Sequence, residues 1–304
     1  MSGGDSVDWG SLWSQIFNFS DYGELLVLLQ NSIIAGAVLG IVGGLVGVFV
    51  MSRDMAFAVH GISELSFAGA SAGLLFGVGV VEGSLAGSLA AALLIGFLGS
   101  RSRDRNSIIA VLMPFGLGFG ILCLALYPGR SANKFGLLTG QIVAVDDPRL
   151  NSLTVISIVV VVGLLVIWRP LTFASVDADV ASARGVPVRT LSIVFMLLLG
   201  LAVAVSVQVV GSLLVLSILV TPAAAALRVS ASPIVVPLLS MLFAVVSLVG
   251  GIMLALGGSV PISPYVTTIS FAIYVVCRII AASRARRGIS GRTPATKATV
   301  ESWS

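Results

Sequence analysis

Charged side chains are scarce in this chain of 304 residues, since Asp, Glu, Lys and Arg together make up only 10% of it. Soluble globular domains carry about a quarter charged residues. Here 57% of the residues are hydrophobic, and the mean hydropathy is +1.10. One soluble core could not bury so much apolar surface. The composition therefore predicts a polytopic membrane protein.

Cysteines and lysines, which form disulfides, metal sites and nucleotide-binding loops in many proteins, are also few. The two cysteines, Cys123 and Cys277, lie in separate apolar runs, so the sequence predicts neither a disulfide framework nor a thiolate metal site. No stretch has the P-loop pattern, and neither Lys134 nor Lys297 follows a glycine, which excludes ATP binding by a Walker motif. We expect no permanently bound cofactor.

The excess of positive charge is small, with 17 Lys and Arg against 13 Asp and Glu, and it does not predict a nucleic-acid partner. Most arginines lie in short gaps between apolar runs or in the basic tail, 284–304, which is typical of membrane orientation. The N-terminal segment, 1–24, has no basic region ahead of an apolar one, so we do not predict a cleavable signal peptide.

Apolar runs fill the middle of the chain, 25–283, which we interpret as one transmembrane domain. A span needs about 20 apolar residues and must be helical, because lipid offers the backbone no hydrogen-bond partners. The sequence predicts an all-α transmembrane helix bundle of about eight or nine spans, with candidates at 25–51, 55–80, 84–99, 107–127, 152–168, 190–207, 210–227, 233–256 and 264–282. Only "SVQVVGS" separates the sixth and seventh runs, so one of them is expected to be broken or re-entrant. The 34 glycines predict close helix packing.

Charges in the loops predict the orientation. With nine crossings and the acidic N-terminal segment outside, Arg53, Arg228, the loop 169–189 and the basic tail all lie inside. Only the loop 128–150 places cations outside. The positive-inside rule therefore predicts an odd number of crossings, with the N-terminus out and the C-terminus in.

The only histidine, His60, and the nearby Glu64 stand within an apolar run, in "VHGISELSFAGASAG". Their i, i+4 spacing places both on one helical face, where an imidazole and a carboxylate suit zinc and tolerate manganese or iron. The alternative is a satisfied pair that only joins neighbouring helices. Ionisable groups at membrane depth are costly and usually mark a transport pathway, so we favour a pathway. Two ligands do not close a metal site.

Two further segments are polar enough to have a role. Ser217 and Thr221 share the i, i+4 spacing beside Pro222 and form a second polar patch, although such residues often only satisfy backbone groups that a proline frees. The segment 176–190, "VDADVASARGVPVRT", is compatible with a short helix on the cytosolic side. It is either an ordinary loop or a docking element for a cytosolic partner.

Three stretches, in this order and spacing, resemble a known family: "FVMSRDMAFAVHGISELSFAGASAGLLFG", "DADVASARGVPVRTLS" and "VGSLLVLSILVTPAAAALRVS". They resemble the membrane permeases of the zinc and manganese ABC importers, the ABC-3 family, over roughly residues 26–283. The resemblance implies a homodimer in a bacterial plasma membrane, two cytosolic ABC ATPase subunits, and an extracytoplasmic protein that delivers the metal ion. The chain would then be a transport subunit and not itself an enzyme.

The resemblance also implies roles for individual residues. In the family, an aspartate and then a histidine at i+4 face the translocation path, and these positions match His60 and Glu64 with the ligand types exchanged. The pair keeps one imidazole and one carboxylate, with Zn²⁺ or Mn²⁺ as the transported substrate. The stretch 210–228 resembles the family's pore-flanking segment, and 176–190 resembles the coupling helix that sits in a groove of the ATPase. Its candidate coupling residues are Asp177, Asp179, Arg184, Gly185, Val186 and Pro187.

Two other functions stay open at this point. A permease for an organic metal chelate, such as a siderophore or cobalamin, is distantly similar in architecture but does not require the His60 and Glu64 pair. An intramembrane enzyme needs a catalytic constellation, and one histidine without paired aspartates provides little material for one, so no residue is a catalytic candidate. The sequence does not separate zinc, manganese and iron as cargo.

Overall fold

The computed structural model describes residues 29–99, 102–129, 145–212, 214–256 and 262–289, and the regular elements in these ranges are all α-helices. In chain order they are α1 Gln30–Ser52, α2 Ala56–Phe76, α3 Val80–Leu98, α4 Ser102–Leu126, α5 Asp147–Val176, α6 Ala178–Ala183, α7 Val188–Val210, α8 Val215–Leu219, α9 Thr221–Val229, α10 Val235–Ala255 and α11 Ile262–Ile289. The predicted all-α fold is confirmed. The predicted N-terminal segment, 1–24, and most of the basic tail lie outside the described residues.

Seven of the described helices have the length and composition to cross a membrane, namely α1, α3, α4, α5, α7, α10 and α11. Helix α2 has 21 residues and is also long enough, although His60 and Glu64 make it more polar. The predicted run 210–227 contains two short helices, α8 and α9, which together form one broken passage. The predicted transmembrane helix bundle is confirmed, and the predicted count of eight or nine spans agrees approximately with these helices.

Helix α5 is longer than the predicted run, 152–168, which stops before Arg169 and Pro170. The helix continues through Pro170 and ends next to the segment 176–190. A proline inside a helix removes one backbone hydrogen bond. Leu171 beside it is fully buried, so packing holds this turn in place. As a result, α5 leads directly into α6.

Contacts between helices define the two ends of the bundle. Helix α5 passes through α6 into α7 at one end, which we call the α6 end. Arg53, directly after α1, donates a hydrogen bond of 3.1 Å to the Ser192 hydroxyl near the start of α7, so α1 finishes at this end. Asn31, near the start of α1, donates to the Asp147 carboxylate at the start of α5 over 2.7 Å. Both helices therefore begin at the opposite end.

Helix α10 runs against α1 in the opposite direction. Gly40 of α1 lies against Val245, and Gly44 lies against Met241, so the numbering falls on α10 as it rises on α1. A Cβ atom on these two glycines would come within 2.8 Å and 2.6 Å of the α10 backbone. Helix α10 thus starts at the α6 end, and α11 returns to it. The start of α1 and the end of α11 lie at opposite ends, which agrees with an odd number of passages.

Helix α2 packs between α3, α4 and α7. Gly69 of α2 faces Gly83 and Gly87 of α3 in backbone contact. The hydroxyls of Ser66 in α2 and Ser84 in α3 are 2.8 Å apart in the interior. These contacts use one face of α2, and helical spacing places the histidine and glutamate of α2 on the opposite face.

Candidate metal-transport site

His60 and Glu64 lie on one face of α2, one turn apart. Their nearest nitrogen and oxygen atoms, His60 Nε2 and Glu64 Oε1, are 3.9 Å apart, which is too far for a hydrogen bond. The Glu64 side chain is 5% exposed and the His60 side chain 27% exposed. The carboxylate is therefore buried, and the imidazole remains partly accessible beside it.

Both side chains keep an unused polar atom. Within the described part of the chain, neither His60 Nδ1 nor Glu64 Oε2 has a hydrogen-bond partner. Ser63 does not supply one, because its hydroxyl donates to the backbone oxygen of His60 over 2.8 Å. Buried polar groups in folded proteins are almost always hydrogen-bonded. These two buried atoms lack an internal partner, which is compatible with the predicted ligand role of the pair.

Helix α4 forms a wall beside the pair. Gly116 of α4 lies against the backbone of Glu64, and a Cβ atom there would be 3.1 Å from the Glu64 carbonyl oxygen. One turn away, Gly61 of α2 lies against the Ile109 side chain of α4. Helix α8 also packs against α2. Close backbone packing holds the α2 turn that carries the carboxylate in a fixed position.

The described residues of one chain do not provide a complete metal site. Across residues 29–99, 102–129, 145–212, 214–256 and 262–289, no three His, Cys, Asp or Glu side chains cluster closely enough to hold a metal ion. Stable zinc sites usually have about four ligands. A metal site that included His60 and Glu64 would therefore need ligands from elsewhere, and a transport site must in any case hold its ion weakly enough to release it.

The two predicted pore-flanking residues lie in neighbouring short helices. Ser217 belongs to α8 and Thr221 is the first residue of α9. Pro222 stands in the first turn of α9, where its missing N–H removes no helical hydrogen bond. Ser270 of α11 donates to the Ser217 carbonyl over 3.2 Å. No hydrogen bond among the described residues joins either hydroxyl to the polar pair of α2.

The segment 176–190 contains a capped helix, α6. Asp177 is its N-cap, and one carboxylate oxygen accepts hydrogen bonds from the backbone nitrogens of Asp179 (3.0 Å) and Val180 (2.9 Å). Gly185, with a φ of +82°, makes the turn that follows the helix. Ala181 is fully buried, whereas Val180 is 47% exposed. The helix is anchored on one face and open on the other.

The predicted coupling residues all lie in, or directly beside, this helix and the turn after it. They are exposed except for the half-buried Val186: Asp177, Asp179, Arg184, Gly185, Val186 and Pro187.

Sequence patterns missed two buried polar groups at the break after α7. Gln208 is 9% exposed and Ser212 is fully buried, and Gln208 Nε2 and Ser212 Oγ have no hydrogen-bond partner among the described residues. Gly211, with a φ of +80°, ends α7 between them. The motif "SVQVVGS" indicated the break, but nothing in it indicated that these side chains are buried.

Arg53 has a structural role that the loop charges did not predict. Its guanidinium lies 5.6 Å from the centre of the Phe195 ring, while it donates to Ser192. Burial, together with the positive charge of Arg105, lowers the pKa of Arg53. The α1–α2 turn is thereby fixed to α7 at the α6 end, directly before the helix that carries the polar pair.

These features define a polytopic membrane protein of the transporter class, with a polar pair inside the bundle and a capped helix at one end. The chain belongs to the ABC 3 transport family, whose profile matches residues 26–281. The resemblance seen in the three sequence stretches is confirmed.

Individual relatives agree with this family. The chain is 29% identical over 225 residues to the manganese transport system membrane protein MntC of Halalkalibacterium halodurans, covering 74% of this chain and 77% of that protein. It is 31% identical over 199 residues to MntC of Listeria innocua, covering 65% of this chain and 71% of that protein. The solved structure of PsaBC from Streptococcus pneumoniae in complex with Fab matches with a TM-score of 0.80 at 24% identity, covering 90% of this chain and 100% of that chain. This last similarity shows a shared fold.

Proposed function

We propose that the chain is the permease subunit of an ATP-driven importer that carries a divalent transition-metal ion, manganese or zinc, across the bacterial plasma membrane. The observation that carries the proposal is the buried Glu64 carboxylate, which has a free oxygen beside the partly accessible His60 imidazole. Family membership supports the importer assignment. An imidazole and a carboxylate together suit a divalent ion that has lost part of its hydration shell.

Manganese is the favoured ion. Two relatives that match most of their own length are named as manganese transport proteins. Carboxylate oxygen suits manganese, and no cysteine clusters with His60 and Glu64 among the described residues. Zinc remains the second ion to test because imidazole binds both.

The proposed partners follow from what the chain does not supply. It has no P-loop, so a separate cytosolic ABC ATPase would hydrolyse ATP, and α6 offers that subunit a capped helix with an open face. The incomplete metal site supports a homodimer, in which a second copy adds its own imidazole and carboxylate. An extracytoplasmic binding protein would deliver the ion to the end opposite α6. In this arrangement the start of α1 would lie outside and the end of α11 inside.

A chelate permease is less well supported. An organic chelate carries its own metal ligands, so it would leave the buried Glu64 oxygen without a partner during transport. A bare ion, by contrast, would be bound by both side chains of the pair.

The test is transport by the chain reconstituted in liposomes with its ATPase and its binding protein. We expect Mn²⁺ to stimulate ATP hydrolysis and to accumulate in the lumen, with Zn²⁺ weaker or equal. A ferric siderophore and cobalamin should give neither signal. Stimulation by a chelate alone would contradict the proposal.

A further inference from the structure

A second binding site is indicated by an open cleft between α5 and α10 at the α6 end of the bundle. It has a volume of about 560 Å³ and shares no residue with α2. Helix α1 contributes to it through Leu45. The lining is apolar except for one cation, with these side chains prominent in it: Leu165, Trp168, Arg169, Pro237 and Leu238.

Two side chains of α5 indicate the depth at which the cleft would lie in a bilayer. Arg169 stands about two turns before the end of α5, which corresponds to roughly 10 Å along the helix axis. Trp168 precedes it and packs edge-on against Phe49 of α1, with ring centres 4.8 Å apart. Tryptophan and arginine are typical of the boundary between hydrocarbon and water. At such a boundary the apolar part of the cleft would face acyl chains, and Arg169 would face headgroups.

Arg169 has no counter-charge among the residues that the structure describes. It is exposed, and no carboxylate in the described ranges forms an ion pair with it. Leu165 and Leu238, which are both 58% exposed, form open apolar surface on the two sides of the cleft. An isolated guanidinium above an apolar cleft is complementary to a phosphate that carries a hydrocarbon chain.

We propose that this cleft binds one anionic phospholipid from the leaflet on the α6 side. The phosphate accepts hydrogen bonds from the Arg169 guanidinium, and an acyl chain lies between Leu165 and Leu238. A second copy of the chain is a poorer occupant, because the cleft offers one unmatched charge and no other charged side chain to specify a protein partner. The site is independent of metal transport, so it can be tested without the proposed substrate.

Native mass spectrometry of the full-length protein, purified in detergent, measures the binding directly. Phosphatidylglycerol should bind more tightly than phosphatidylcholine of the same chain length. Arg169→Gln should weaken phosphatidylglycerol binding about tenfold, as expected for the loss of one charge-assisted contact. Arg169→Lys keeps the charge and should retain part of the preference. Leu238→Trp, which fills the apolar cleft, should weaken binding of both lipids.

The matched control is Arg189→Gln. Arg189 is exposed at the start of α7, at the same end of the bundle but outside the cleft. It should leave lipid binding unchanged. Equal binding of the two lipids, an unchanged Arg169→Gln variant, or equal losses in the Arg169 and Arg189 variants would each overturn the proposal. Conversion of a dimer to a monomer by Arg169→Gln would identify a second copy as the occupant and would also overturn it.

Discussion

At the scale of single residues, Glu64 is the side chain whose position is hardest to explain by packing alone. Moving an acidic group to the centre of a bilayer costs roughly 2.5–3.5 kcal/mol on insertion scales. Its Oε2 atom has no partner in the described part of the chain, and His60 Nε2 is 3.9 Å away. No internal contact offsets this cost fully. A passing divalent cation would offset it for the time that the ion stays.

Removing either member of the pair should therefore slow transport strongly. We expect His60→Ala, Glu64→Ala and Glu64→Gln each to lower manganese uptake by at least about tenfold, which corresponds to about 1.4 kcal/mol in the barrier. Glu64→Gln is the most informative of the three variants, because it keeps the shape of the side chain and removes only its charge. Uptake is measured in reconstituted liposomes, with equal amounts of folded protein.

Ser71→Ala provides the control on the same helix. Ser71 is fully buried, and its hydroxyl donates to the Phe67 carbonyl in α2, so its removal changes a buried hydroxyl without touching the pair. It should transport normally. If the His60 and Glu64 variants also transported at wild-type rates, the pair would be a structural contact only.

At the scale of helices, the α1–α10 contact depends on glycine. A Cβ atom at Gly44 would lie 2.6 Å from the Met241 backbone, which cannot move as a flexible side chain can. Alanine is otherwise the better helix former by about 1 kcal/mol. Overpacking typically costs about 1–3 kcal/mol, so Gly44→Ala should lower the free energy of unfolding in spite of the helix preference.

Gly118→Ala should have the opposite effect on the free energy of unfolding. Gly118 of α4 has no atom within 4 Å of a Cβ position, so only the helix preference acts there. Thermal unfolding of both variants in detergent tests these two predictions. Gly44→Ala should melt below the wild-type protein, and Gly118→Ala at or above it. Equal melting temperatures would show that α10 can move away from α1 at little cost.

Helix α6 should couple the chain to its ATPase. Val186→Asp and Gly185→Trp change the turn at the open end of α6, and both should abolish ATPase association or ATP-driven uptake while the bundle stays folded. Asp177→Ala removes two capping hydrogen bonds, which is worth about 1 kcal/mol, and should weaken coupling partially. Ser182→Ala, in the same helix but outside the predicted coupling residues, leaves the cap intact and is the control. Normal transport by the first two variants would make the segment a plain loop.

The apolar runs predicted the helices well, because a membrane leaves the backbone few alternatives to helix formation. They misjudged α5, since a single Pro170 stops a run in a sequence pattern, whereas neighbouring packing carries the helix past it. The spacing of His60 and Glu64 predicted that both side chains lie on one face of a helix. It did not predict that the carboxylate is buried and the imidazole partly open, nor that Gln208 is buried at the break, because these depend on which helices pack around them.

At the scale of the whole molecule, the structure places the start of α1 and the end of α11 at opposite ends of the bundle. The loop charges predict that the α6 end is cytosolic, since Arg53, Arg169 and Arg228 all lie towards that end. A reporter that is active only in the cytosol, fused after residue 290, should be active, and one fused before residue 25 should be silent. The reverse pattern would invert the orientation and remove α6 from reach of an ATPase.

The partial exposure of His60 in α2 predicts that two copies of the chain assemble. His60 is 27% exposed, and an ionisable side chain does not face lipid, so a second copy should cover this face of α2. Phe57, which is 66% exposed, lies on the same face at three and seven residues from the pair. In a chain with both natural cysteines replaced, Phe57→Cys should therefore form a disulfide-linked dimer under mild oxidation in membranes. Val166→Cys, at a position of α5 that is 75% exposed, should stay monomeric, because the phospholipid cleft lies there. Cross-linking through Val166 and not through Phe57 would place the partner copy on the wrong face for metal transport, and the two copies could not then share one ion.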